Sequence, residues 1–424
     1  MNKTKEIYIT GFALFSMFFG AGNLILPPFL GKNAGNLWSL VTLGFFITAV
    51  FVPLLGILAH AKLQGTLYDF GKKVSPTFSI IYCFIIYVIC VALPAPRTAS
   101  VTHEMAIAPY FNISSLFTSS IYFGFVLLFA LNRSKILNII GKFLTPLIIC
   151  MLLSIIFIGI FTAPETINQS TIKTPFVSGL LEGYQTFDAI ASVVVGGVLV
   201  ISMNFNKKAT FDYKKELITK AGLIAGLGLL IIYTGLIYNG VLFSTTFNDD
   251  ASRTEILTSL SNQTLGNIGS IFLSVLVALA CFTTAVGIIT GTADYFKGIN
   301  NNSEKAFIIT AIIGCILGVL MGQFNVSYII NIALPALMFI YPITIVLIIL
   351  NVISDKYTAS LVFKTVVLAT FIFSIPDFLE FIIDDQYLIG IKNIIPLANH
   401  HLGWVLPASL CFILTNLIKT KKSA

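Results

Sequence analysis

Twelve apolar runs follow one another along the 424 residues, at approximately 7–30, 37–60, 77–96, 116–131, 136–162, 176–203, 217–243, 267–294, 306–323, 327–350, 360–383 and 401–418. Charges, glycines and prolines bound them, and most approach the ~20 residues that cross roughly 30 Å of hydrocarbon. Hydrophobic residues make up 57% of the chain and charged residues 10%, against about 25% charged in a soluble domain. A globule in water has no place for that much apolar surface; a bilayer has. The expectation is an all-α membrane protein with twelve transmembrane helices in one transmembrane domain, 1–424, because no loop exceeds about 25 residues.

An even number of spans puts both termini on one side. Of the 25 Lys and Arg residues, twenty then fall on the side of the N-terminus, and only Lys32, Arg97, Lys173, Arg253 and Lys392 fall opposite. That asymmetry reads as positive-inside, with cytoplasmic termini, so the net charge of +7 is a topology signal and implies no nucleic-acid partner. Lys3 and Lys5 before an apolar stretch resemble a signal peptide, but Ile7–Leu30 is too long and has no small-residue cleavage site, so it is read as the first span. The stretch 97–115 is ambiguous, with Met105–Ala108 a candidate short interfacial helix. Cys83, Cys90, Cys150, Cys281, Cys315 and Cys411 lie within apolar runs without metal-ligand spacing and are expected as buried structural thiols. His60, His103, His400 and His401 read as loop or span-end residues lacking a nucleophile or metal partner, which argues against a membrane enzyme. A channel would carry a polar stripe along several spans, whereas polar residues here concentrate at a few points.

The first such point is Gly20-Ala21-Gly22-Asn23, in the middle of span one. Two glycines and an asparagine disfavour a continuous helix, and Asn23 is suited to cap a restarted one; the competing reading is a small-residue packing face. Unwound backbone at membrane depth lines a protein cavity, because lipid satisfies none of its polar groups. The second point is span six, where Glu182-Gly183-Tyr184-Gln185-Thr186-Phe187-Asp188 interrupts an apolar stretch. Carboxylates in a membrane are expensive and mark function, although Asp188 also reads as a plain N-cap and Glu182 as solvated near the outer interface. Spans one and six correspond if the first ten spans are two five-helix repeats, the second inverted, and paired interruptions mark a transporter's midplane site. The N–H groups of a restarted helix suit a carboxylate, and freed carbonyls before it suit a cation or an ammonium group. A third point, Ala280 with Thr283 and Thr284 in span eight, offers hard oxygen donors for Na⁺, unless both hydroxyls bond back to their own helix.

With these residues in hand, the chain resembles the bacterial branched-chain amino acid:cation symporter (LIVCS) family. The resemblance runs nearly the whole length and rests on GFALFSMFFGAGNLILPPFLG at Gly11–Gly31, PAPRTASVTHEMAIAP at Pro94–Pro109, EGYQTFDAIAS at Glu182–Ser192 and the Thr283-Thr284 segment. It implies the amino acid–polyamine–cation superfamily and the LeuT-type fold: five-plus-five inverted repeats, about 6–162 and 176–351, with two C-terminal helices at about 360–418. It implies a multi-pass carrier of the bacterial cytoplasmic (inner) membrane that takes up Leu, Ile and Val with Na⁺ by alternating access. No obligate protein partner is implied. The substrate carboxylate would meet N–H groups at Gly20–Asn23, chiefly Ala21 and Gly22. The substrate amine would meet the span-six break around Tyr184, Gln185, Thr186 and Phe187, beside Asp188, and the aliphatic side chain would pack near Phe18, Phe187 and Tyr184. The Na⁺ ligands carried over are the carbonyls of Ser16, Phe19 and Ala280 and the hydroxyls of Thr283 and Thr284. The alternative is proton (H⁺) coupling through Asp188 or Glu182. The outer-gate arginine of some members of the fold has no equivalent after the first break, where Leu24-Ile25-Leu26 stand, and Arg97 with Glu104 is the candidate substitute.

Overall fold

A computed structural model describes residues 3–132, 145–164, 166–204 and 210–423. Those residues form helices and no strand. Eight helices are long and apolar enough to cross a membrane, and Ser115–Leu131, Pro146–Thr162 and Val405–Ile418 are shorter apolar helices. Arg133, Lys135, Lys142, Lys207 and Lys208, counted above toward the positive side, lie outside the described residues, as does the start of the run at 136–162.

The first run is two helices, α1 (Lys3–Phe18) and α2 (Ala21–Ala34). Gly35 then turns the chain at φ +47, a left-handed conformation that glycine takes without a Cβ clash. α3 (Trp38–Phe46), a π turn at Ile47–Phe51 and α4 (Val52–Leu63) make the second run. The short α5 (Leu67–Gly71) is followed by α6 (Pro76–Ala92) and α7 (Pro94–Thr102), and a π turn extends α7 to Ile107. The expected interfacial piece at Met105–Ala108 is therefore the end of a helix that began at Pro94. Prolines 94 and 96 sit in the first turn of α7, where a missing N–H costs nothing, so they bend the run without ending it.

α8 (Ser115–Leu131), α9 (Thr145–Thr162), α10 (Pro175–Tyr184), α11 (Asp188–Asn204) and α12 (Phe211–Leu242) follow. α13 (Arg253–Ile299) contains a break at Gly266, φ +68, that separates a shorter helix from the expected run at 267–294. That shorter helix was not anticipated, although Ser252 and Glu255 form the capping box that announces it. The chain ends in α14 (Glu304–Gly322), α15 (Val326–Val352), α16 (Ser360–Leu379), α17 (Asp385–Ile394) and α18 (Val405–Ser423).

The bundle core gathers α1, α2, α12 and α13, while α16 packs on α15 and α18 on α16 at the margin. α2 and α12 approach closely: a Cβ on Gly31 would collide with the Ile237 carbonyl, and one on Gly240 with the Pro28 carbonyl. Many large apolar side chains, among them Phe157, Phe161, Leu227, Ile231, Ile313 and Leu368, face outward, an arrangement suited to lipid. The ion pairs keep the two ends of the bundle separate. Lys3–Glu216, Lys73–Asp355 and Lys297–Glu304 join positions assigned to the end bearing the N-terminus; Arg253–Glu182 and Lys392–Glu380 join positions of the other.

Some expectations need correction. Cys150 is exposed and Cys411 partly so, while the other four cysteines are buried. His60 is buried, its ring nitrogens 3.0 Å from the Gly65 carbonyl and 2.9 Å from that of Val193.

Candidate functional site

Both interrupted runs break, more narrowly than the sequence indicated: at Phe19–Gly20, with Gly20 rather than Asn23 at the cap and Ala21–Asn23 already helical, and at Gln185–Phe187. Between α1 and α2 the Gly20 N–H turns to the Phe18 carbonyl at 2.8 Å and to the Asn23 side-chain oxygen at 3.0 Å. A regular helix would aim that N–H at the Ser16 carbonyl four residues back, which here loses its usual donor. Ala21 and Gly22 open α2, so their N–H groups belong to the first turn, which has no preceding helical carbonyl to bond.

Between α10 and α11, Gln185, Thr186 and Phe187 leave the helix. Phe187 is held at φ +64, rare for a bulky residue and costing about 1–2 kcal/mol. Thr186, not Asp188, supplies the cap: its hydroxyl accepts from the Asp188 N–H at 3.2 Å and donates to the Gly183 carbonyl at 2.8 Å. Asp188 is instead the first helical residue, and its carboxylate is free to face α2.

That carboxylate joins the two breaks. The Asn23 amide nitrogen lies 2.8 Å from both Asp188 oxygens, and the Tyr233 hydroxyl of α12 donates to Oδ2 at 2.8 Å. Asn23 also donates to the Tyr233 oxygen. All three side chains are buried, and such a network stands only when its members satisfy one another. Asn23 thus spends its side chain on fixing both breaks, while its backbone N–H stays in the first turn of α2. Tyr233 was not anticipated; a tyrosine within Ile231-Ile232-Tyr233 reads as packing until its hydroxyl has a partner.

Arg97 stands on the other side of the breaks. The sequence placed it in an outer loop beside Glu104, but it is 3% exposed within the bundle. Nη1 donates to the Gln185 carbonyl at 2.8 Å, the guanidinium lies 5.1 Å from the centre of the Phe187 ring, and Nε has no hydrogen-bond partner. Glu104 lies elsewhere, accepting from the Val326 N–H at 2.8 Å and the Thr254 hydroxyl at 3.0 Å. The expected Arg97–Glu104 pair is therefore not formed, and Arg253–Glu182 is the ion pair beside the break. The Arg253 Nη2 to Glu182 Oε1 distance is 3.0 Å, Gln185 donates to Oε2 at 3.0 Å, and the Arg253 guanidinium covers the Phe29 ring at 4.3 Å. Glu182 is thus paired rather than simply solvated.

The breaks, α7 and α13 line a common cavity. Gly20, Gly22, Asn23, Arg97, Thr186, Asp188 and Thr284 supply its polar rim, and Met17, Phe18, Phe187, Ile190, Val194 and Ile288 its apolar wall. A smaller cavity between α1 and α11, lined by Thr10, Ala13, Leu14, Val198 and Leu199, shares Met17 and Val195 with it and extends toward the end bearing the N-terminus. Tyr184 and the Gln185 side chain do not line the larger cavity: Tyr184 stacks on Tyr341 with ring centres 4.3 Å apart.

The oxygen donors of α13 meet α1 beside this cavity. The Ser16 and Thr283 hydroxyls are 3.4 Å apart, and a Cβ on Gly20 would lie 2.9 Å from the Thr284 hydroxyl. Thr283 bonds back to the Ala280 carbonyl at 2.9 Å. Thr284, in contrast, is a buried hydroxyl without a partner. Phe19 is buried between Phe15 and Tyr233, with ring centres 5.2 and 6.0 Å away.

A family model described as "Branched-chain amino acid transport protein" matches residues 3–422. The branched-chain amino acid permease BraB of Bacillus subtilis is 32% identical over 438 residues, covering 99% of this chain and 97% of the relative. The branched-chain amino acid transport system 2 carrier protein of Pseudomonas aeruginosa is 32% identical over 425 residues, covering 97% and 95%. Among solved structures, MHP1, a nucleobase-cation-symport-1 family transporter in a closed conformation, superposes with a TM-score of 0.64 at 12% identity, covering 98% of this chain and 93% of that one. That likeness concerns the fold alone.

Proposed function

Because the chain belongs to the branched-chain amino acid transport protein family, we propose that it carries leucine, isoleucine and valine across the bacterial cytoplasmic membrane, in symport with Na⁺ and by alternating access. The observation that carries this reading is the pairing of two broken helices across one cavity with a polar rim and an apolar wall. First-turn N–H groups of Ala21 and Gly22 suit the substrate carboxylate, and the Thr186–Asp188 side of the second break suits its ammonium group. Phe18, Phe187 and Ile190 offer the aliphatic side chain contacts without a hydrogen-bonding demand.

The coupling ion is assigned to the seam between α1 and α13. Two observations support it: the partnerless Thr284 hydroxyl beside Gly20, and the Ser16 carbonyl released from its helical donor. With the Phe19 and Ala280 carbonyls and a Thr283 hydroxyl turned from its back-bond, these donors make the all-oxygen set that a hard cation takes. Of the two carboxylates able to carry a proton instead, Glu182 is already paired with Arg253. Alternating access is supported by that ion pair at one end and the α1–α11 cavity reaching toward the other. Positive-inside charge makes the end bearing the N-terminus cytoplasmic.

The test is leucine uptake into proteoliposomes under an imposed Na⁺ gradient, compared with a proton gradient alone. Na⁺-driven accumulation is expected, and competition by isoleucine and valine should follow. Uptake driven equally well by protons without Na⁺ would remove the Na⁺ assignment. Thr284→Ala should weaken Na⁺ dependence severalfold, and an unchanged response would leave Thr284 outside the cation site.

A further inference from the structure

Arg97 carries a charge that the protein leaves unanswered. A guanidinium stays protonated in any protein environment, and burying one without a counter-ion costs several kcal/mol. Among the described residues no carboxylate forms an ion pair with it; its contacts are one carbonyl, one aromatic face and nothing at Nε. Asp188, the other charged group on the cavity wall, forms no ion pair with it; its carboxylate takes hydrogen bonds from the neutral Asn23 and Tyr233 side chains, which leave its charge in place.

Its position narrows the ligand. A Cβ on Gly22 would collide with Arg97 Nη2, so the guanidinium edge lies against the first turn of α2, and glycine is the residue that admits it. Gly20, Gly22 and Asn23, at the opening of that turn, line the same cavity as Arg97, at the positive end of the helix dipole. Two positive features placed together repel each other until an anion comes between them. The planar fork of arginine matches both oxygens of a carboxylate.

We propose that Arg97 is the counter-ion of the substrate carboxylate, which sits between its guanidinium and the opening N–H groups of α2. The assignment rests on the amino-acid carrier reading and adds to it a basis for zwitterion selection: Arg97 for the carboxylate and Asp188 for the ammonium group, both on the cavity wall. A derivative whose carboxylate is replaced by an uncharged amide leaves the guanidinium buried and unpaired, and is rejected for that reason.

The experiment measures equilibrium binding of leucine and of leucinamide to the purified full-length protein, at mildly acidic pH where both α-amines are protonated. Wild-type protein should prefer leucine strongly. Arg97→Gln should lower leucine affinity roughly 10- to 100-fold while leucinamide affinity changes little, so that the preference collapses. Arg97→Lys, which keeps the charge but loses the fork, should lower leucine affinity less and again spare leucinamide. Equal loss for both ligands in either variant would make Arg97 a prop for the Gln185 carbonyl and overturn the assignment. A wild-type protein that bound the two equally would overturn it as well. Failure of wild-type protein to bind leucine at all would instead defeat the carrier reading, and this assignment with it.

Discussion

Glu182→Gln removes one charge from the Arg253–Glu182 pair and keeps the shape of the side chain. The two side chains are 14% and 19% exposed, with N and O 3.0 Å apart. Point charges at that distance attract by about 5.5 kcal/mol at an effective dielectric of 20. On the proposed alternating-access reading, most of that is offset because both groups become solvated when the cavity opens on their side. A charge-assisted hydrogen bond contributes about 1.5–3 kcal/mol net, and each 1.4 kcal/mol is tenfold in a population. The variant should therefore raise the fraction open at the Arg253 end by roughly 10- to 100-fold. Cys90 lines the cavity and is a native reporter. With the other five cysteines replaced, its labelling by a membrane-impermeant thiol reagent from that end should quicken in the variant by the same factor. Arg253→Gln should act alike, and the double variant should not exceed either alone, as expected of two residues acting through one contact. Labelling from that end at the wild-type rate would refute the idea that this pair holds the closed state.

Two further outcomes follow from the structure. Tyr233→Phe keeps the ring packing on Phe19 and Phe45 but deletes one donor to Asp188; it should destabilise the protein by about 1.5–3 kcal/mol, read as a lower melting temperature in detergent, and an unchanged melting temperature would count against the network. Outside the membrane, the Lys73 hydrogen bond holds the Asp355 carboxyl below its usual range. That contribution is present above the ordinary Asp pKa of about 3.9 and fades as pH falls through the depressed folded value. With the carboxylate side chain 70% exposed, Asp355→Asn should cost no more than about 0.5 kcal/mol at neutral pH and nothing measurable in strong acid, as monitored by thermal unfolding against pH.

Sequence alone located both helix breaks because glycine, asparagine and a carboxylate are costly inside an apolar run, so their presence carries information. Arg97 and Tyr233 escaped for opposite reasons. Pro94 and Pro96 read as the end of a span and sent Arg97 into a loop, yet in a first turn they deny the helix nothing. Tyr233 sits in a run where aromatic residues are commonplace, and the meaning of its hydroxyl is decided by α2 and α11, which are distant in sequence. The Arg253–Glu182 pair was illegible in the same way, since its two halves are 71 residues apart.

The close approach of Gly31 to Ile237 and of Gly240 to Pro28 makes α2 and α12 a single stiff frame, backbone against backbone. α1 packs along α12 as well, but at Gly20 the axial hydrogen bonding that would continue it into α2 lapses. On the proposed alternating-access reading, the break at Gly20 is where the two halves of the first run change their angle. On that reading a ligand seated at the break departs down the α1–α11 seam toward the N-terminal end, where the smaller cavity lies.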